Sequence, residues 1–76
     1  MSPRLPSCTA AEVARALEHA GFVAVHQKGS HRYFADPLTG DVLTTVPMHP
    51  GDLARSLLKK IIKDVGLTED EFRELL

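Results

Sequence analysis

Residues 28–34 of this 76-residue chain read Lys28-Gly29-Ser30-His31-Arg32-Tyr33-Phe34. A histidine follows a Gly-Ser break directly, lies between two cations, and opens an aromatic-rich segment with the composition of a β-strand. Imidazole is the side chain best able both to take and to give a proton near neutral pH, and Lys28 and Arg32 suit a phosphate held beside it. Together they point to acid–base chemistry on a phosphodiester. Ser30 is a poor nucleophile for a Ser–His pair, because successive strand side chains point to opposite faces; with Gly29 it serves better to shape the turn. A second histidine stands in Val46-Pro47-Met48-His49-Pro50. It is either a general acid for a leaving oxygen or the end of a strand leading into Gly51-Asp52, so Ser30 and His49 are the auxiliary candidates beside His31. His19 and His26 lie in no motif and read as structural or exposed. A zinc site from His26, His31 and His49 is disfavoured by the single cysteine and the absence of a close-spaced ligand pair, so no metal or cofactor is expected.

The elements that must hold these groups are legible in the hydrophobic pattern. Thr9-Ala10-Ala11-Glu12 is a capping box with Cys8 and Val13 as its staple, and predicts a helix over 10–20 with Val13, Ala16, Leu17 and Ala20 inward. Staple packing, with no charge pattern to activate a thiol, makes Cys8 structural. Residues 22–28, 31–35 and 42–46 read as three strands joined by Gly29-Ser30 and by the turn-rich segment 36–41, an antiparallel meander with Phe34 facing the core. A bulge at Gly29 would change the phase of one strand against its neighbour, and strand alternation leaves open whether Arg32 shares a face with His31. With a symmetric 36–41 loop, His31 sits opposite Val46, and the 28–30 turn and His49 meet at one end of the sheet.

A second helix is predicted from Gly51-Asp52 to Val65, closed by Gly66, with Leu53, Ala54, Leu57, Leu58, Ile61, Ile62 and Val65 on one arc. Arg55, Lys59, Lys60 and Lys63 occupy its other side, beside the histidine-bearing end of the sheet. Thr68-Glu69-Asp70-Glu71 is a second capping box, stapled by Leu67 and Phe72, for a short last helix over 69–76. Met1 to Ser7 has no periodicity, and residues 1–8 are expected to fray.

Length allows one domain, residues 1–76, burying roughly 60–65% of its unfolded surface. The net charge of −1 is unevenly spread. Between His26 and Lys63 six Lys/Arg face three Asp, net +3, whereas Asp64 to Leu76 holds five acids and Arg73, net −4. Local field decides where a polyanion docks, so the middle of the chain is the candidate RNA surface, with Lys28, Arg32, Arg55, Lys59, Lys60 and Lys63 as its contacts. A single cysteine and no signal-peptide or long apolar run argue for a soluble cytoplasmic protein with no membrane partner.

The ordered series Gly21-Phe22, Gly29-Ser30-His31, Val46-Pro47-Met48-His49 and Asp64-Val65-Gly66-Leu67 resembles the HicA family of toxins, from about Thr9 to the C-terminus. The resemblance implies an α+β, dsRBD-like α-β-β-β-α fold with a three-stranded antiparallel sheet and here an additional short C-terminal helix. It also implies a ribonuclease of a toxin–antitoxin pair that cleaves mRNA, with His31 as the catalytic acid/base and a HicB-like antitoxin shielding it. The chain departs from the family at Leu53-Ala54-Arg55-Ser56-Leu57, where relatives carry a Pro-Lys-Gly-Thr-like break, which implies a second helix starting a turn earlier. Two other classes remain on the residues alone. One is a non-catalytic RNA-binding module, for which Gly29-Ser30-His31 is unnecessary; the other is a domain that only binds a protein partner.

Overall fold

In the computed structural model, which describes residues 4–76, Thr9 and Glu12 close their capping box. Thr9 Oγ1 accepts from the Glu12 N–H at 3.2 Å, and Glu12 Oε1 accepts from the Thr9 N–H at 2.8 Å. This starts helix α1, Ala10–His19. Ala10 and Ala14 are buried along with Val13, Ala16 and Leu17, a wider face than the amphipathic pattern predicts. The reason is that α1 packs against the sheet and also against the last helix, so small side chains on its flank are covered too.

Strands β1 (Val23–Lys28), β2 (His31–Ala35) and β3 (Val42–Pro47) form an antiparallel sheet in the order β1-β2-β3. Helix α2 (Arg55–Asp64) and helix α3 (Glu69–Leu75) complete the chain, and α1 and α2 pack on one face of the sheet. This is the expected α+β, dsRBD-like layout with an added C-terminal helix. Phe34 and Phe72 are fully buried with Leu17, Leu58, Ile61, Val13 and Val46, as the pattern predicts for Phe34. Thr44 is the polar member of the interior, and its hydroxyl donates to Asp64 Oδ2 at 3.0 Å, tying β3 to α2.

Three expectations are corrected. Helix α2 does not begin at Gly51-Asp52, and the departure from the family pattern does not start it earlier: its first residue is Arg55, after an N-cap at Ala54 with no side-chain cap. Tertiary pairing takes the backbone first, since Asp52 bridges to Thr9 and the Leu53 N–H donates to the Cys8 carbonyl at 2.8 Å. Leu53 still packs on the core, but Ala54 is exposed. Second, His31 pairs with Pro47, not with Val46, because a bulge between Phe34 and Ala35 skips Leu43. No bulge falls at Gly29; in β1 the irregularity lies between Ala24 and His26. Third, the segment expected to fray is in part packed. Met1–Pro3 lie outside the described residues, but Leu5 and Cys8 are buried in the core, and Arg55 Nη1 donates to the Leu5 carbonyl. Burial pushes the Cys8 thiol above its ordinary range, with the charges of Glu12 and Asp52 adding to the effect, as fits a packing role.

Candidate active site

The turn between β1 and β2 has two residues, Gly29 and Ser30, and Gly29 alone has positive φ, at 59°. Positive φ at the first central position only is the pattern of a II′ hairpin, whose twist matches the flanking strands. A turn of this length dictates the ladder: Lys28 opposite His31, Gln27 opposite Arg32, His26 opposite Tyr33. Gln27 reinforces it, with Nε2 donating to the Gly29 carbonyl at 3.1 Å and Oε1 accepting from Arg32 Nε at 3.1 Å.

Alternation then assigns faces. Phe34 pairs with Thr44 and Arg32 with Val46, and Thr44 reaches Asp64 of α2, so this set points toward the helices. His31, Tyr33, Lys28, His26, Thr45 and Pro47 occupy the opposite, uncovered face. The β2–β3 pairing continues past the strands, with the Met48 N–H donating to the Ser30 carbonyl at 2.6 Å and the His49 N–H to the Pro47 carbonyl at 2.9 Å. His49 is thereby folded back toward the turn. Its ring stands edge-on to His31, centroids 6.5 Å apart and planes at 83°, and its Nε2 lies 3.4 Å from Ser30 Oγ. Both imidazoles are exposed.

The structure therefore brings together Lys28, Gly29, Ser30, His31 and His49. It separates them from Arg32, which turns to the helix side and is occupied by Gln27. The four α2 cations also stand apart, because α2 covers the face of the sheet that His31 leaves. Lys60 is paired with Asp64 at 2.8 Å, and Lys59 and Lys63 line a concavity with Gly66 and Glu69. Another cleft lies between α1 and α3, lined by Glu12, Arg15, His19 and Leu75; neither contains His31, which belongs to an open surface. Among the described residues no group of three or more His, Cys, Asp or Glu side chains is placed to hold a metal ion. The Ser30–His49 contact and the His26–Tyr33 stack, with centroids 5.1 Å apart, escaped the reading of residue types. The second follows from the two-residue turn by counting back along the ladder; the first needs the chain after β3 to reverse.

A search of curated proteins finds no match to this chain. A family model, described as the HicA toxin of bacterial toxin-antitoxin systems, matches residues 10–67, a span that runs from the start of α1 past the end of α2 and contains both histidines of the site. The Gly29-Ser30-His31 turn and the Val46-Pro47-Met48-His49 segment are thus parts of one matched pattern as well as one place in space, and the chain belongs to the HicA toxin family.

Proposed function

We propose that this member of the family is a metal-independent endoribonuclease that cleaves mRNA, with His31 as the acid/base. The observation that carries the reading is the approach of His31 and His49 to 6.5 Å on an open surface beside Lys28. Side by side at that separation, the two rings can each reach one of the two reacting oxygens through a hydrogen bond of about 2.8 Å. His31 takes the proton of a ribose 2′-hydroxyl as its oxygen forms a bond to the adjacent phosphorus. The bond from phosphorus to the 5′-oxygen breaks, and that oxygen receives a proton from His49. The products are a 2′,3′-cyclic phosphate and a 5′-hydroxyl, with every proton accounted for by the two rings. Lys28, directly across the ladder from His31, offsets the charge that builds on the phosphate. Ser30 orients the His49 ring and is not a nucleophile.

The antitoxin partner in this proposal is HicB-like and acts by covering His31. The site is a surface, so a partner that lies across it excludes RNA without any change in the toxin's fold. The test is incubation with end-labelled single-stranded RNA in EDTA. The wild type is expected to give fragments ending in 2′,3′-cyclic phosphate, and His31→Ala none, while the variant keeps the wild-type circular dichroism spectrum. RNA bound but not cut by the wild type would replace this reading with the non-catalytic RNA-binding module.

A further inference from the structure

The uncovered face of the sheet is built in rows. The end row is Lys28, His31 and Pro47, and the next row inward is His26, Tyr33 and Thr45, each set paired across the three strands. His31 and Tyr33 are two residues apart on one strand, which separates the rows by about 6.6 Å along the sheet. That is comparable to the step between successive nucleotides in an extended single strand. Tyr33 is half-buried, and His26 leans on it with planes inclined by 37°, which restrains the phenol without enclosing it.

We infer that Tyr33, braced by His26, is a nucleobase-stacking site that seats the nucleotide next to the scissile phosphate of a single-stranded RNA. The inference rests on the ribonuclease reading and adds to it the binding subsite and the strandedness of the substrate. An aromatic ring on an open sheet face offers a π surface that any base can cover, and sheet-borne aromatics of this kind take unstacked bases, not paired ones. Charge complementarity favours the same occupant: the two rows carry the Lys28 ammonium and no acid. A duplex would present its bases edge-on and leave the ring uncovered. Thr45, on the far side of Tyr33, supplies a hydroxyl within the same row to a base edge.

The chain contains one tyrosine and no tryptophan, so its intrinsic fluorescence reports Tyr33 alone. The experiment titrates the His31→Ala protein, which leaves substrate intact, with a fluorescein-labelled single-stranded RNA followed by anisotropy. A parallel titration with the unlabelled oligonucleotide is followed by tyrosine emission, corrected for inner-filter absorption. The expected result is quenching of Tyr33 that saturates with the anisotropy. In the same background Tyr33→Phe binds within about twofold of the parent, whereas Tyr33→Leu, which keeps apolar bulk but has no ring, binds about five- to tenfold more weakly. Tyrosine emission unchanged at saturating RNA, or equal binding by the Leu and Phe variants, overturns the stacking site. Cleavage by the wild type in EDTA separates the two failures: RNA cut with no involvement of Tyr33 refutes this inference alone, and RNA neither cut nor bound refutes the ribonuclease reading with it.

Discussion

If His49 donates a proton to the departing 5′-oxygen, His49→Ala lowers the turnover of ordinary RNA by about 10²-fold, the lower end of what one positioned acid contributes. The low figure follows from the structure. His49 is exposed, lies outside the sheet, and is oriented by a single long contact of 3.4 Å to Ser30, whereas His31 is held by its strand between two ladder partners. His31→Ala is therefore expected to cost more, about 10³-fold or above. The assay compares two substrates, a normal oligoribonucleotide and one with sulfur in place of the bridging 5′-oxygen at the cleavage site. A thiolate leaves without being protonated, so the sulfur substrate restores the rate of His49→Ala to within a few-fold of wild type but does nothing for His31→Ala. The pH profile supplies a second check. Wild-type turnover is expected to show two limbs, one for a base that must be neutral and one for an acid that must be protonated, and His49→Ala is expected to keep the acidic limb and lose the alkaline one. Equal damage by His49→Ala on both substrates would refute the assignment and leave His49 as a strand terminator.

Two further outcomes follow from the placement of charge. Lys28→Ala, across from His31, weakens RNA binding by the His31→Ala protein and lowers the slope of log K against log salt by about one, while Lys59→Ala with Lys63→Ala, behind the sheet, leaves the slope unchanged. The Lys60 ammonium, with help from the Thr44 hydroxyl, holds the Asp64 carboxyl below the usual carboxylate range against an opposing contribution from burial. A depressed folded-state pKa gives stability that is complete above the unfolded value and is lost as pH falls through the folded one. Asp64→Asn is expected to lower stability in urea at pH 7 by about 1 kcal/mol or less, because Lys60 is exposed and solvent screens the pair. The difference from wild type shrinks as pH falls below the ordinary carboxylate range, and a difference that stays constant from neutral pH into acid would refute the charge pairing.

The position of α2 bears on inhibition. Its outer face carries Arg55, Lys59, Lys60 and Lys63, and that face points away from the surface that bears His31. An antitoxin that only shields His31 need not touch these cations. One that uses them for electrostatic steering must reach around an edge of the sheet, and hydrogen exchange in the complex distinguishes the two by whether protection extends from residues 26–33 and 45–49 to α2.

Local chemistry was enough to read the element types and most of their limits, because each signal acts within a few residues. The boxes at Thr9-Glu12 and Thr68-Glu71 satisfy their own helix ends, the 3.6-residue spacing of Leu58, Ile61, Ile62 and Val65 marks the buried stripe of α2, and Gly29-Ser30 sets a two-residue turn that places Lys28 beside His31. What depended on distant backbone was not readable in this way. The start of α2 is decided by Thr9 and Cys8, more than forty residues earlier, which take the backbone of Asp52 and Leu53 into a bridge before a helix can form there. The set of side chains across from the site is decided by one extra residue, Leu43, in the bulge opposite Phe34 and Ala35. Cross-strand partners share a face, and His31, three residues before the buried Phe34, lies on the face opposite to it, so pairing His31 with Val46 would have put Val46 on the uncovered face. The one-residue shift gives Val46 to Arg32, keeps it on the core face with Phe34, and brings Pro47 opposite His31, so that His49 follows directly beside the exposed imidazole. A bulge costs one ladder position and is favoured only when the packing of Phe34, Thr44 and Val46 against α1 and α2 is complete, which is why tertiary structure alone could place it.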